Sequence, residues 1–339
     1  ALAELPARTA ALLARTAERI RFFARQQRQC LANLNCALPG GRGGHRVRPV
    51  ERAGCYAPGG RHPLPSTLLM TAVTASTAGV QEIWVATPRP GAVALAALAY
   101  GAGDIPPSDV VVGQGNRWVT AAKEILAGPT RIDLLGGPSE LAILADQSAD
   151  PAWVAADLLA QAEHDPESLA FLISTWRPLL AAVNEQLAAQ CRDLSTAPTA
   201  RIALARGGAV VVDSLAAAIQ AVNRLAPEHL QIMTRQAEKV AQQCHHQGAL
   251  FIGAASPAVL GDYGSGPNHV LPTGGTARST GGLSVLTFLC VRTWEQMERL
   301  DPRMAAAALA RLEGLEAHAR AMERRVDGGR NLPYPPPAS

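Results

Sequence analysis

The 339-residue sequence predicts an α/β fold built on doubly wound parallel sheets and closed by a small helical C-terminal unit. Three observations predict it. From about residue 47, short β-branched runs alternate with helical stretches, the pattern of strands joined by crossover helices. After Leu283 the strand-like runs stop. The composition, 48% hydrophobic and 17% charged, is that of a globular chain long enough for two or three domains.

The elements follow in order. Residues 7–34 read as a helix rich in Ala, Leu and Arg, and Asn35 to Gly44 as a Pro/Gly loop. Strands are expected at Ile83–Val85, Val110–Val112, Leu141–Leu144, Ala170–Ile173, Val210–Val212, Gln231–Met233 and Leu250–Ile252. Helices are expected near 66–79, 117–127, 151–163, 177–190, 214–224 and 235–247. The helix at 151–163 has its register set by Asp150, a good N-cap, and by Pro151 in the first turn. Two further helices are expected near 293–299 and 302–325. The tail from Leu332 to Pro337 is too rich in proline for a helix and reads as extended.

A net charge of +3 is small for this length and argues against dedicated nucleic-acid binding. The basic stretch Arg320–Arg330 reads as a solvated helix end. No apolar run is long enough to span a membrane, and the first residues lack the basic and apolar regions of a signal peptide. The six cysteines form no C-x-x-C pair and read as reduced thiols, so a cytoplasmic location is expected.

Four segments carry polar chemistry. Gln161 and His164 are three residues apart at the end of the 151–163 helix, on its apolar side, where an amide and an imidazole need partners. A metal would satisfy both; capping of the last carbonyls by His164 is the plainer reading of the pattern alone. Gly261 to Gly275 is too Gly-rich for regular structure, yet carries Asp262, Asn268 and His269, as functional loops do. Pro227-Glu228-His229-Leu230 places a carboxylate beside an imidazole, the usual base near neutral pH. Glu313 and His318, read on one C-terminal helix, lie about 140° apart around its axis.

Together these segments resemble the histidinol dehydrogenase family. The matching order is Tyr56-Ala57-Pro58-Gly59-Gly60, Gly113-Gln114-Gly115-Asn116, Gly137-Pro138-Ser139-Glu140, Leu159 to His164, Pro227 to Leu230, Gly261 to Thr273, and the segment bearing Glu313 and His318. The resemblance implies two-step oxidation of L-histidinol to L-histidine with two NAD and one zinc ion per subunit. It implies zinc ligands Gln161, His164, Asp262 and His318, the last donated across a homodimer interface. His229 would be the general base and Glu228 would activate water. Ser139, His269 and Glu313 would hold the substrate, and Tyr56 and Asn116 would contact the cofactor.

The implied domains are a metal- and substrate-binding Rossmann-like domain from residues 1–54 and 140–282, a shortened NAD-binding domain at 55–139, and a C-terminal helical unit with its tail at 283–339. The resemblance also implies departures. The chain begins inside the family's first domain. Between Thr87 and Gly101 it passes from strand to helix too quickly to hold the βα unit expected there, since a parallel crossover takes at least about a dozen residues. Gln114 replaces a usual proline and is expected to loosen its turn. The alternative is a paralogue that binds zinc and an imidazole or amine ligand without hydride transfer.

Overall fold

The computed structural model describes residues 5–59, 64–87, 91–263, 265–297 and 303–327. The proline-rich tail and Gly60 lie outside them. The chain divides into two compact units, Ala1–Cys30 with Pro49–Leu289, and Leu31–Arg48 with Cys290–Ser339.

The first unit opens with α1 (Ala7–Gln29), which ends five residues earlier than the sequence pattern suggests. Its small parallel sheet uses β3 (Arg52–Tyr56), β4 (Glu82–Ala86), β5 (Val110–Val112) and β6 (Arg131–Ile132), in the order β4-β3-β5-β6. The first two strands, β1 (Leu34–Leu38) and β2 (Gly41–Pro49), belong to the second unit. The crossovers are α2 (Pro65–Ala78), α3 (Gly91–Tyr100) and α4 (Arg117–Leu126). Tyr56, Leu95, Leu98, Val111, Val119 and Leu126 form the core of this half.

The large sheet is also parallel, in the order β11-β10-β7-β8-β9. Its strands are β7 (Glu140–Ala145), β8 (Leu169–Ser174), β9 (Gly208–Val211), β10 (His229–Met233) and β11 (Ala249–Ile252). β7 is wholly buried, as a central strand covered on both faces must be. One core cluster joins Leu141, Ile143, Val154, Leu158 and Leu172; a second joins Ala142, Leu144, Val222, Leu230 and Ile232. Alternate residues of β7 and β10 thus feed the two faces.

Asp150 caps α5 (Pro151–Ala162) as expected, accepting from the Ala152 amide at 2.8 Å. The expected helix at 177–190 is α6 (Arg177–Gln190). The sequence pattern did not mark α7 (Ala197–Arg206). Then come α8 (Leu215–Leu225) and α9 (Ala237–Ala241), the latter much shorter than the expected 235–247. Asp262 lies on a short helix, α10 (Val259–Tyr263), so the Gly-rich segment is not wholly irregular.

The second unit corrects the sequence reading most. Residues expected to form a loop make an antiparallel hairpin, β1 (Leu34–Leu38) and β2 (Gly41–Pro49), turning at Pro39-Gly40. Gly41 and Gly44 lie so close to the backbone of Gln296 and Leu34 that neither position has room for a Cβ. Those glycines therefore mark close approach within a sheet. The strands do not stop after Leu283: β12 (Leu289–Met297) completes the sheet β1-β2-β12, so residues 293–297 are strand where a helix was expected. The expected helix at 302–325 is two helices, α11 (Arg303–Leu312) and α12 (Glu316–Asp327), separated at Gly314, whose φ is +77°. Arg311 ties them together through Glu316 at 3.0 Å and Glu323 at 2.6 Å. Among the described residues, no helix is long and apolar enough to cross a membrane.

Candidate active site

β7 and β10 are neighbours, paired with His229 opposite Leu141. Their first residues are Glu140 and His229, so Ser139, Glu140, Glu228 and His229 meet at the N-terminal edge of the large sheet. α5 carries the chain back to that edge and brings Gln161 with it. Glu228 and His229 arrive there through a sharp turn after α8. Ala226 adopts a left-handed conformation (φ 51°), although it is not glycine and is wholly buried. Such a residue costs on the order of 1 kcal/mol and persists only where its surroundings fix it.

A relay of hydrogen bonds joins these side chains. Gln161 Nε2 donates to Ser139 Oγ at 2.9 Å, and Ser139 Oγ donates to Glu228 Oε2 at 2.7 Å. The Glu140 amide donates to the same carboxylate oxygen at 2.9 Å. His229 Nδ1 lies 3.1 Å from the Glu140 carbonyl, which can only accept, so Nδ1 carries a proton in either charge state and Nε2 is the nitrogen that gains or loses one. The imidazole stacks on Phe251 with centroids 6.0 Å apart. Burial pulls the His229 imidazole down, but the Glu228 carboxylate at 3.4 Å, with Asp262 and the Glu140 carbonyl, outweighs it and lifts the group to about 9.

Beside this relay, Asp262 stands between two imidazoles. His164 Nε2 is 4.0 Å from Asp262 Oδ2, and His269 Nδ1 is 3.5 Å from Oδ1. Burial pushes the Asp262 carboxyl up, but His269, His229 and His164 overcome this and hold it below its ordinary value. His269 is buried and its Nε2 has no hydrogen-bond partner among the described residues, an orphan that a ligand would satisfy.

The loop carrying His269 is pinned at several points. Asn268 donates to the Met70 carbonyl of α2 at 2.9 Å, and its own oxygen accepts from the Val270 amide at 3.0 Å. Gly137 N donates to Thr273 Oγ1, and Gly274 N to Glu140 Oε1 at 2.8 Å. Gln114, at the C-terminal end of β5, donates to the His269 carbonyl at 3.1 Å. The turn that Gln114 was expected to loosen is instead tied across to the loop. The same turn is held from below: the Gly113 amide donates to Asp133 Oδ2 at 2.8 Å, and Asp133 is paired with buried Lys123.

The remaining expected residues are dispersed. Tyr56 ends β3 and is only 4% exposed, packed in the core of the small sheet. Asn116 caps α4, accepting from the Trp118 and Val119 amides at 3.1 and 3.3 Å. Glu313 follows α11 and His318 lies on α12, both exposed and both in the second unit. The break at Gly314 separates them, so they do not share one helix. Sequence reasoning missed Glu140 as a site residue; its one signal was its place beside Ser139 in the Gly137–Glu140 motif.

Among the described residues, no group of three or more His, Cys, Asp or Glu is placed to hold a metal. The donors in the first unit are His164, Asp262 and the neutral carbonyl oxygen of Gln161, whose amide is oriented by its bond to Ser139. The 4.0 Å between His164 Nε2 and Asp262 Oδ2 is too long for a hydrogen bond, which leaves both atoms available as donors. This mixed N/O donor set fits a divalent metal such as zinc.

Two Rossmann-like parallel sheets, with carboxylates and imidazoles gathered at the edge of one and a Gly-rich turn of the other tied to it, define an α/β protein with one polar, partly buried candidate site. Residues 1–91 and 89–326 match the family model described as Histidinol dehydrogenase. The histidinol dehydrogenase of Thermus thermophilus is 44% identical over 332 positions, covering 91% of this chain and 80% of that protein. The one from Nitratidesulfovibrio vulgaris is 44% identical over 360 positions, covering 96% and 82%. The crystal structure of histidinol dehydrogenase from Elizabethkingia anophelis matches with a TM-score of 0.92 at 31% identity, over 96% of this chain and 82% of that one. An aldehyde dehydrogenase from Brucella melitensis shares the fold at a TM-score of 0.57 and 11% identity. The chain belongs to the histidinol dehydrogenase family.

The family match comes in two stretches that meet at residues 89–91, within the Thr87–Gly101 segment. The 360 positions aligned with the Nitratidesulfovibrio protein exceed the 339 residues of this chain, so at least 21 of them stand opposite a gap here.

Proposed function

We propose that this chain oxidises L-histidinol to L-histidine in histidine biosynthesis, with NAD as hydride acceptor. The observation that carries the reading is the Glu228–His229 pair. A chain of this family presents one buried carboxylate and one imidazole whose Nδ1 is committed to a carbonyl side by side, next to the Asp262 cluster. The relatives described above are named histidinol dehydrogenases, which lends the binding-only alternative no support.

In this reading Gln161, His164, Asp262 and His318 of the partner subunit hold one zinc ion in a cytoplasmic homodimer. Zinc supplies a Lewis acid that anchors the alcohol and amine end of the substrate. The orphaned Nε2 of His269, with Ser139, recognises the rest of the substrate. In its neutral form, which the lifted value of about 9 confines to alkaline pH, His229 Nε2 takes the alcohol proton as hydride leaves the carbon that bears the hydroxyl. Glu228 then takes a proton from the water that adds to the aldehyde-level carbon, and His229 serves the second oxidation. Two hydrides leave in all, and one water oxygen enters the product.

The C-terminal ends of β3 and β5, where the small sheet's strand order reverses, are the general place for a dinucleotide on a parallel sheet. Tyr56 and Asn116 stand at those ends. Tyr56 offers little beyond its buried ring, while Asn116 keeps its amide group for the cofactor after capping α4. In this reading residues 55–139 form the cofactor domain and 140–282 the body of the substrate domain, while Leu31–Arg48, expected to go with the latter, fall in the second unit.

Purified protein given zinc, histidinol and excess NAD should produce NADH, two per histidinol. No NADH, with zinc and histidinol still bound by calorimetry, would overturn the assignment. Replacing Asp262 with Ala should remove stoichiometric zinc, measured by elemental analysis; unchanged zinc would refute the ligand set.

A further inference from the structure

We infer that Glu140 is the positioning residue that sets Glu228, His229 and the Gly274 turn in mutual register. The inference rests on the proposed activity for its catalytic meaning, but its geometry stands apart from it. Glu140 touches each of the three through a different group. Its amide donates to Glu228 Oε2 at 2.9 Å. Its carbonyl accepts from His229 Nδ1 at 3.1 Å. Its side-chain Oε1 accepts from the Glu228 amide at 3.2 Å and from the Gly274 amide at 2.8 Å.

The backbone groups would be present with any residue at this position; the side-chain bonds would not. Glu140 is 5% exposed and Glu228 is 2% exposed, so both carboxyl groups sit in a low-dielectric edge of the sheet. A buried amide left without an acceptor costs roughly 1–3 kcal/mol, enough to displace the turn that presents it. The Glu140 carboxylate closes a ring between residues 140 and 228: each backbone amide is bound by the other's carboxylate. Removing one arm leaves Glu228 held from one side only, and frees the loop that carries His269 at its Gly274 end. Burial raises the Glu140 carboxyl, the Gly274 amide lowers it and nearby Glu228 raises it again. A neutral group of the same shape should therefore serve as well as the acid.

Two variants test this. Glu140→Gln keeps an oxygen at the same reach and should retain kcat within about threefold of wild type. Glu140→Asp shortens the arm by one methylene and should lose tenfold or more in kcat, with the KM for histidinol changed less than threefold. Wild-type kcat in Glu140→Asp, or an equal loss in both variants, would overturn the inference. Nitrogen-15 NMR of the His229 ring provides a readout that needs no turnover. The Nδ1-protonated signature should persist in Glu140→Gln and broaden or shift in Glu140→Asp; identical spectra in all three proteins would overturn the inference. Wild-type protein that forms no NADH yet shows this NMR pattern would sink the proposed activity while leaving the role of Glu140 standing.

Discussion

His229 combines three conditions in one side chain: it is buried, its Nδ1 is committed to a carbonyl, and a carboxylate stands 3.4 Å away. The carboxylates win over burial, lifting the group from an ordinary 6.5 to about 9. The consequence for stability has a definite sign. Below pH 6.5 folded and unfolded chains both carry the proton, and the stabilisation is whole. Between 6.5 and 9 only the folded chain holds it, and above 9 it is lost. The midpoint of thermal unfolding of the metal-free protein should fall as pH rises through this window. In His229→Gln that slope should flatten. A slope equal to wild type would place the responsible proton elsewhere. The same residue shows how far sequence goes. Glu228 and His229 are adjacent and legible as a pair, but the residues that orient them, Ser139 and Glu140, lie about ninety positions away. No local spacing could link them; only strand pairing of β7 with β10 does.

At the scale of elements, continuous apolar strands were legible because they are buried on both faces: Val110–Val112 and Leu141–Leu144 read directly as β5 and β7. The strands of the second unit were not. β2 begins Gly41-Arg42-Gly43-Gly44, a sequence with little strand propensity of its own, and becomes a strand because β1 and β12 pair with it on either side. The Gly113–Asn116 turn was legible as a motif but misjudged in stiffness. Gln114 replaces the rigidity of a proline ring with a bond to the His269 carbonyl, linking the C-terminal edge of the small sheet to the N-terminal edge of the large one. Gln114→Ala removes that bond, worth about 1 kcal/mol. The expected outcome is a several-fold rise in the KM for histidinol with little change in the unfolding midpoint, because the loop stays pinned at Asn268 and Gly274. A KM equal to wild type would show that the link does not position His269.

At the scale of the whole molecule, the two parallel sheets of the first unit face the site with opposite edges. The large sheet offers the beginnings of β7 and β10, while the small one offers the ends of β3 and β5. Under the proposed function, that division would give substrate chemistry and cofactor delivery to different sheets. The family match, and with it the function, was legible because its motifs occur in order from Tyr56 to Asp262. What spacing could not give is how they assemble, since Gln161, His164 and Asp262 come from the end of α5 and from α10, a hundred residues apart.

The Lys123–Asp133 pair beneath the Gly113 turn has one further consequence, and it concerns covalent labelling. The chain has only two lysines, Lys123 and Lys239. Lys239 is exposed on α9, whereas the Lys123 side chain is 2% exposed and donates to Asp133 and the Leu134 carbonyl. An amine-selective reagent should therefore modify Lys239 rapidly in the native protein and Lys123 only when the small sheet opens. Peptide mass spectrometry over time would turn Lys123 into a clock for that opening. Equal rates at the two lysines would mean that the ion pair is exposed to solvent on the timescale of the reagent.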